Sequence, residues 1–201
     1  LGLCYRMVGE VTRAIYCHER SFSIEHKQER PRGQAADLGN LGLCYRRLGD
    51  LAKAIDFHLR SAALYEQIGR LKEQATQLGH VGSGYVNLHD LPKAVDYLEQ
   101  ALNIAEKIGH VEGQAVQLGN LGICYRSLGD VAKAIEHHKR SLALNERLGR
   151  LEGQATQLAN LGFGYEDLGD RVKAASHLQR SLALCWRMGL SEEHPRVSAI
   201  T

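Results

Sequence analysis

Between residues 112 and 128 the apolar side chains Ala115, Leu118, Leu121 and Tyr125 fall three and four positions apart, the spacing of one face of an α-helix. A second stretch of the same period runs from about Val131 to Leu148, with Ala134, His138 and Leu142 in step. Gly129 and Asp130 part the two. Glycine accepts the left-handed conformation that closes a helix, and an aspartate side chain caps the free amides that open the next. Asp50, Asp90 and Asp170 recur at the same place, and Gly69, Gly109, Gly149 and Gly189 mark the exits of the second helices. Pro92 fits as well, because the first turn of a helix has no use for an amide proton. The pattern predicts a unit of two helices joined by a tight turn. It also poses a puzzle, since Gly119 and Gly122 stand inside the first helix, where each costs roughly 1 kcal/mol relative to alanine.

The unit recurs without a gap. LGLCYRMVGE, LGLCYRRLGD, VGSGYVNLHD, LGICYRSLGD and LGFGYEDLGD begin at residues 1, 41, 81, 121 and 161, so residues 1–201 are expected to form a single domain of five 40-residue units. A lone helical hairpin leaves its apolar faces uncovered, whereas stacked hairpins bury them against the next unit. The fold class expected is therefore all-α, a right-handed α-solenoid of stacked helix-turn-helix repeats. The chain opens on a short first helix at 1–8 and closes on SEEHPRVSAIT, with no polar cap at either end. Such ends allow a second expectation, that chains self-associate by stacking end to end.

Composition narrows the function classes. At 44% hydrophobic and 24% charged the chain is ordinary for a globular protein, and 6% aromatic content with three prolines favours helix over strand. A net charge of +2 is too near balance to argue for nucleic acid, which calls for a strongly basic domain. The tetrapeptide Gly119-Asn120-Leu121-Gly122 matches a nucleic-acid-binding loop only superficially, because it lies within a predicted helix. No apolar run approaches the roughly 18 residues a bilayer span requires, so no membrane partner is expected. The N-terminal residues carry neither signal-peptide features nor an initiator Met, which reads as an excised piece. Five cysteines within helical patterns suggest free thiols in a reducing, cytoplasmic compartment.

Candidate chemistry changes the picture little. Cys4, Cys44 and Cys124 share one repeat column with Gly84 and Gly164, and His18, His58 and His138 share another with Leu98 and Leu178. Small or apolar alternates mark packing positions, and ligands one unit apart rarely converge on a single ion. No metal and no cofactor are expected. No phosphate-binding loop, nucleophile elbow or catalytic triad pattern is present, and the chain is read as no enzyme.

Leu121, Gly122, Tyr125, Leu128, Gly129, Asp130, Ala134 and Ser141-Leu142 together resemble the tetratricopeptide repeat, and the resemblance extends over essentially the whole chain. Two departures stand out. The usual unit has 34 residues, and its second helix ends on a proline where this chain has Glu66, Glu106 and Glu146. A longer helix and an added linker, Gly-Arg-Leu-Glu-Gly-Gln at 149–154, account for the extra length. The 40-residue form is most similar to the Leu-Gly-Asn-repeat adaptors and to kinesin light chains. That resemblance implies a non-catalytic protein-protein interaction module, whose concave groove holds a peptide.

The resemblance also assigns a groove face. Asn40, Asn120 and Asn160, with His80 in the same column, would grip a peptide backbone through the paired donor and acceptor of an amide. Stepping three residues along the same helix face, from Asn120 to Ile123 to Arg126 and from Asn40 to Leu43 to Arg46, adds a ladder of arginines, Arg6, Arg46 and Arg126. An arginine fork suits a carboxylate, so a partner with an acidic segment is expected beside Arg46 and Arg47. Glu166 and Asp167 would take any basic part. Of the two glycines, Gly122 recurs in every unit and reads as a packing position. Gly119, with Gly39 and Gly79, reads as a place kept shallow for the guest.

Overall fold

The computed structural model describes residues 10–190. Among these residues it contains nine α-helices and no strand: α1 (Val11–Lys27), α2 (Pro31–Arg47), α3 (Leu51–Gln67), α4 (Leu71–Asn87), α5 (Leu91–Lys107), α6 (Val111–Ser127), α7 (Val131–Arg147), α8 (Leu151–Asp167) and α9 (Arg171–Arg187). The chain divides into two compact units, Leu1–Gly109 and His110–Thr201. In the first, α2 pairs with α3 and α4 with α5, while α1 packs on α2 and α3 on α4. In the second, α6 pairs with α7 and α8 with α9, and α7 packs on α8. Within each unit, then, a second helix covers the next first helix, as the stacking argument requires. No described helix is long and apolar enough to cross a membrane.

The turns follow their residues. Asp50, Asp90, Asp130 and Asp170 accept a hydrogen bond from the backbone N–H three positions on, at Lys53, Lys93, Lys133 and Lys173. The preceding glycines hold positive φ, as at Gly129 with +84°. His89 takes the same left-handed turn at +58° without being glycine, a conformation that costs an L-residue roughly 1–2 kcal/mol. The first helices start differently. Arg30, Arg70, His110 and Arg150 precede them with no side-chain cap. The segment 149–154, expected as a linker, is mostly helix: α8 begins at Leu151, and the Arg150 N–H closes the turn on the Asn145 carbonyl at 2.9 Å.

Packing explains the invariant columns. A Cβ on Gly122 would lie 2.5 Å from the His138 ring, one on Gly42 2.7 Å from His58, and those on Gly82 and Gly162 2.6 Å from Leu98 and Leu178. Gly122 is thus a packing glycine, which lets the two helices of one hairpin close on a flat ring or a leucine. Gly84 and Gly164 face Ile55 and Ile135 of the preceding helix in the same way, and Cys44 and Cys124, at their position in the other repeats, are fully buried. Ser61, Ser141 and Ser181 are buried too, each donating to the carbonyl of Ala35, Ala115 or Ala155 at 2.7 Å. The repeated tyrosines belong to the hairpin edge. Tyr45, Tyr85, Tyr125 and Tyr165 lie against Phe57, Tyr97, His137 and His177. Lys53, Lys93, Lys133 and Lys173 reach over those tyrosine rings from the capping aspartates.

Candidate functional site

Three first helices, α2, α4 and α8, are tied to the preceding second helix by buried histidines. His58 Nδ1–H donates to Gln77 Oε1 at 2.8 Å, His138 Nδ1–H donates to Gln157 Oε1 at 2.8 Å, and His18 Nδ1 lies 2.9 Å from Asp37 Oδ1. Burial, opposed by the Gln157 hydrogen bond, pulls His138 down to about 4, with the nearby charges of His137 and Arg126 acting in the same direction. Burial lowers His58 as well, and the rings of His58 and His138 stay neutral in the fold at neutral pH. Among the described residues no three His, Cys, Asp or Glu side chains gather closely enough to hold a metal ion.

The same glutamines overturn one expectation. The Gln157 amide sits 2.9 Å from where a Cβ of Gly119 would be, and Gln77 3.0 Å from that of Gly39. Gly39, Gly79 and Gly119 are all buried. Gly39 and Gly119 are therefore not shallow places for a guest. Each is shallow because a glutamine from the next first helix, fixed by its histidine, fills the space.

The remaining candidates among the described residues occupy exposed or half-buried positions on the first helices. In the second compact unit Asn120 and Asn160 are half-buried, and their amides make no hydrogen bond to any described residue. Ile123 is 42% exposed. Arg126 reaches across from α6 to α8, where its Nε and Nη2 donate to the two carboxylate oxygens of Asp167 at 2.6 and 3.2 Å, with the guanidinium 5.5 Å from the centre of the Phe163 ring. The pair holds the Asp167 carboxyl below the ordinary carboxylate range and raises Arg126. Asp167 was expected to take a basic part of the guest; in this structure its carboxylate is already engaged. Glu166 beside it is exposed. Ile123, Arg126, Ser127, His138, Asn160 and Asp167 enclose a pocket of about 230 Å³, large enough for a side chain. It offers donors from arginine, serine and amide, acceptors from amide and carboxylate, and an apolar wall from Ile123.

The first compact unit carries the same positions with different chemistry. Asn40 is half-buried, its amide making no hydrogen bond to any described residue, and Leu43 is half-buried on the same helix. His80 takes the place of the second asparagine, its ring centre 4.9 Å from that of His58. Burial lowers it to about 4, assisted by His58 and the Arg46 charge. Arg46 and Arg47 are exposed, and Arg46 makes no ion pair or hydrogen bond among the described residues. Arg6 lies outside the described residues. The sequence pattern did not single out Ser127 or the His138 ring as pocket walls, nor the bond between Arg126 and Asp167, which stand 41 positions apart.

The model of the tetratricopeptide repeat family matches residues 1–67, 73–147 and 114–186. No curated protein matches the chain. Several solved structures share its fold. BtubC (BKLC) from P. vanneervenii superposes with a TM-score of 0.85 at 21% identity, over 97% of this chain and 81% of its own. A putative kinesin light chain from Podospora anserina, with nearly identical repeats, gives 0.75 at 21% identity over 95% and 94%. A Rap protein complexed with competence and sporulation factor gives 0.81 at 16% identity, over 99% of this chain and 55% of its own length.

Proposed function

The chain belongs to the tetratricopeptide repeat family, and from that premise we propose that it binds an extended peptide segment of a partner protein along the face formed by the first helices within a compact unit, without chemistry of its own. As a tandem of such units it is a protein-interaction repeat module. The observation that carries the finer reading is the set of half-buried asparagine amides, Asn40, Asn120 and Asn160, that make no hydrogen bond among the described residues. A half-buried amide gains when a ligand supplies its hydrogen bonds. A peptide backbone offers a carbonyl and an N–H at the matching spacing, and the pocket beside Asn160 has room for one side chain. The similar Rap protein, complexed with competence and sporulation factor, supports a binding role for this fold.

Selection of a displayed library of random twelve-residue peptides on the whole chain supplies ligands with which to test the proposal. Their affinity is expected to fall at least about tenfold in the double variant Asn120→Ala, Asn160→Ala, the scale of losing one or two well-placed hydrogen bonds. It should be unchanged by Glu106→Ala and Glu146→Ala, which alter exposed positions on the second helices. Equal loss in both sets, or loss in the second alone, rules the first-helix face out.

A further inference from the structure

Arg46 and Arg126 occupy the same repeat position, but the fold treats them differently. Arg126 spends its fork on both oxygens of Asp167 and rests over Phe163. In the first compact unit the residue in register with Asp167 is Asn87, and the one in register with Phe163 is Ser83, whose hydroxyl donates to the Gly79 carbonyl. Among the described residues Arg46 consequently has neither a carboxylate partner nor an aromatic platform. The carboxylates nearest to it in sequence are also engaged, Asp37 with His18 and Asp50 with Lys53.

We infer that Asp167 is a resident competitor that withholds Arg126 from acidic ligands, and that Asn87 at the same register leaves Arg46 as the arginine of this face that selects a peptide carboxylate. The inference rests on the proposal that the face binds peptides and adds which residue sets the ligand's charge. An intramolecular carboxylate on a rigid helix acts at a high effective concentration, so a peptide Glu or Asp must displace Asp167 before it can reach Arg126. At Arg46 it displaces only water. The two positions therefore differ in ligand class: Arg46 takes an acidic side chain, whereas the pocket at Arg126 takes a neutral polar one able to bond Asn160 and Ser127.

Two labelled decapeptides test this on the whole chain, one of alternating Glu and Ala and one of alternating Gln and Ala, with binding read by fluorescence anisotropy. The Glu peptide is expected to bind about fivefold tighter than the Gln peptide, the upper range of an exposed ion pair. Arg46→Gln should remove that preference, and Asn87→Asp should reduce it to a similar degree by installing the competitor. Asp167→Asn should raise Glu-peptide affinity about fivefold, and adding Arg126→Gln should cancel the gain. Affinity for the Gln peptide should hold steady in Asn87→Asp, a position outside the pocket at Arg126. If Asn87→Asp and Asp167→Asn leave the Glu preference unchanged while Asn120→Ala with Asn160→Ala still weakens both peptides, the inference fails and the binding face stands. If that asparagine pair has no effect on either peptide, the binding face itself is refuted. A wild-type chain that does not distinguish the two peptides also overturns the inference.

Discussion

Gly122 and Gly119 are three residues apart in α6, both buried, and yet they answer to different neighbours. Beside Gly122 lies the edge of a ring that cannot swing away, because His138 is held by Gln157. Beside Gly119 lies the amide nitrogen of Gln157, the far end of a flexible side chain, which can yield while the amide oxygen keeps its bond to His138. Ala159 stands at the position equivalent to Gly119 in α8. Gly122→Ala is therefore expected to destabilise the protein by about 1–3 kcal/mol through overpacking. Gly119→Ala should be neutral, or stabilising by up to about 1 kcal/mol from its better helix propensity. Urea unfolding of the two variants checks both, and an equal penalty at the two sites would contradict the assignment.

Helix α7 is joined to α8 through the hydrogen bond from His138 to Gln157, and that link makes stability depend on pH. The His138 pKa is near 6.5 in an unfolded chain and about 4 in the fold. Above 6.5 both states are neutral. Between 6.5 and 4 the unfolded chain binds the extra proton, so this contribution is lost as the pH falls through that window and levels off below it. From pH 7.5 to 5 the loss from this residue is about 2 kcal/mol. His138→Leu, which places over Gly122 the residue that Leu98 places over Gly82, should flatten the dependence by that amount. A slope identical to wild type in urea titrations at the two pH values would refute the link. The helices themselves were legible in the sequence, since Gly-Asp turns and apolar spacing place α6 and α7 within a residue of where they lie. The bonds between them were not. His138 with Gln157, and Arg126 with Asp167, depend on how one helix is rotated against the next, and periodicity within a single helix does not carry that information. The recurring offset of 19 positions, shared by His18 with Asp37, His58 with Gln77 and His138 with Gln157, is the signal that could have revealed the first of these bonds.

At the scale of the whole molecule, one repeated scaffold presents two compact units whose faces differ by a few substitutions. The first displays Asn40, His80 and an Arg46 with no ion pair among the described residues; the second displays Asn120, Asn160 and an arginine already bound to aspartate. Repetition supplies the geometry, and departures from repetition supply the chemical distinction. The resemblance to tetratricopeptide repeats suggested this face, while the engaged state of Asp167 and the filling of Gly119 became visible once side chains were in place. The central claim, that a peptide lies on the first helices, is most directly tested by photocrosslinking. A benzophenone amino acid is placed either at Ile123, on the wall of the pocket in α6, or at Ala143, exposed on the second helix α7, and a peptide recovered by display is added to each. Covalent capture at Ile123, with little at Ala143, is the predicted result; capture at Ala143 equal to or greater than that at Ile123 would contradict it.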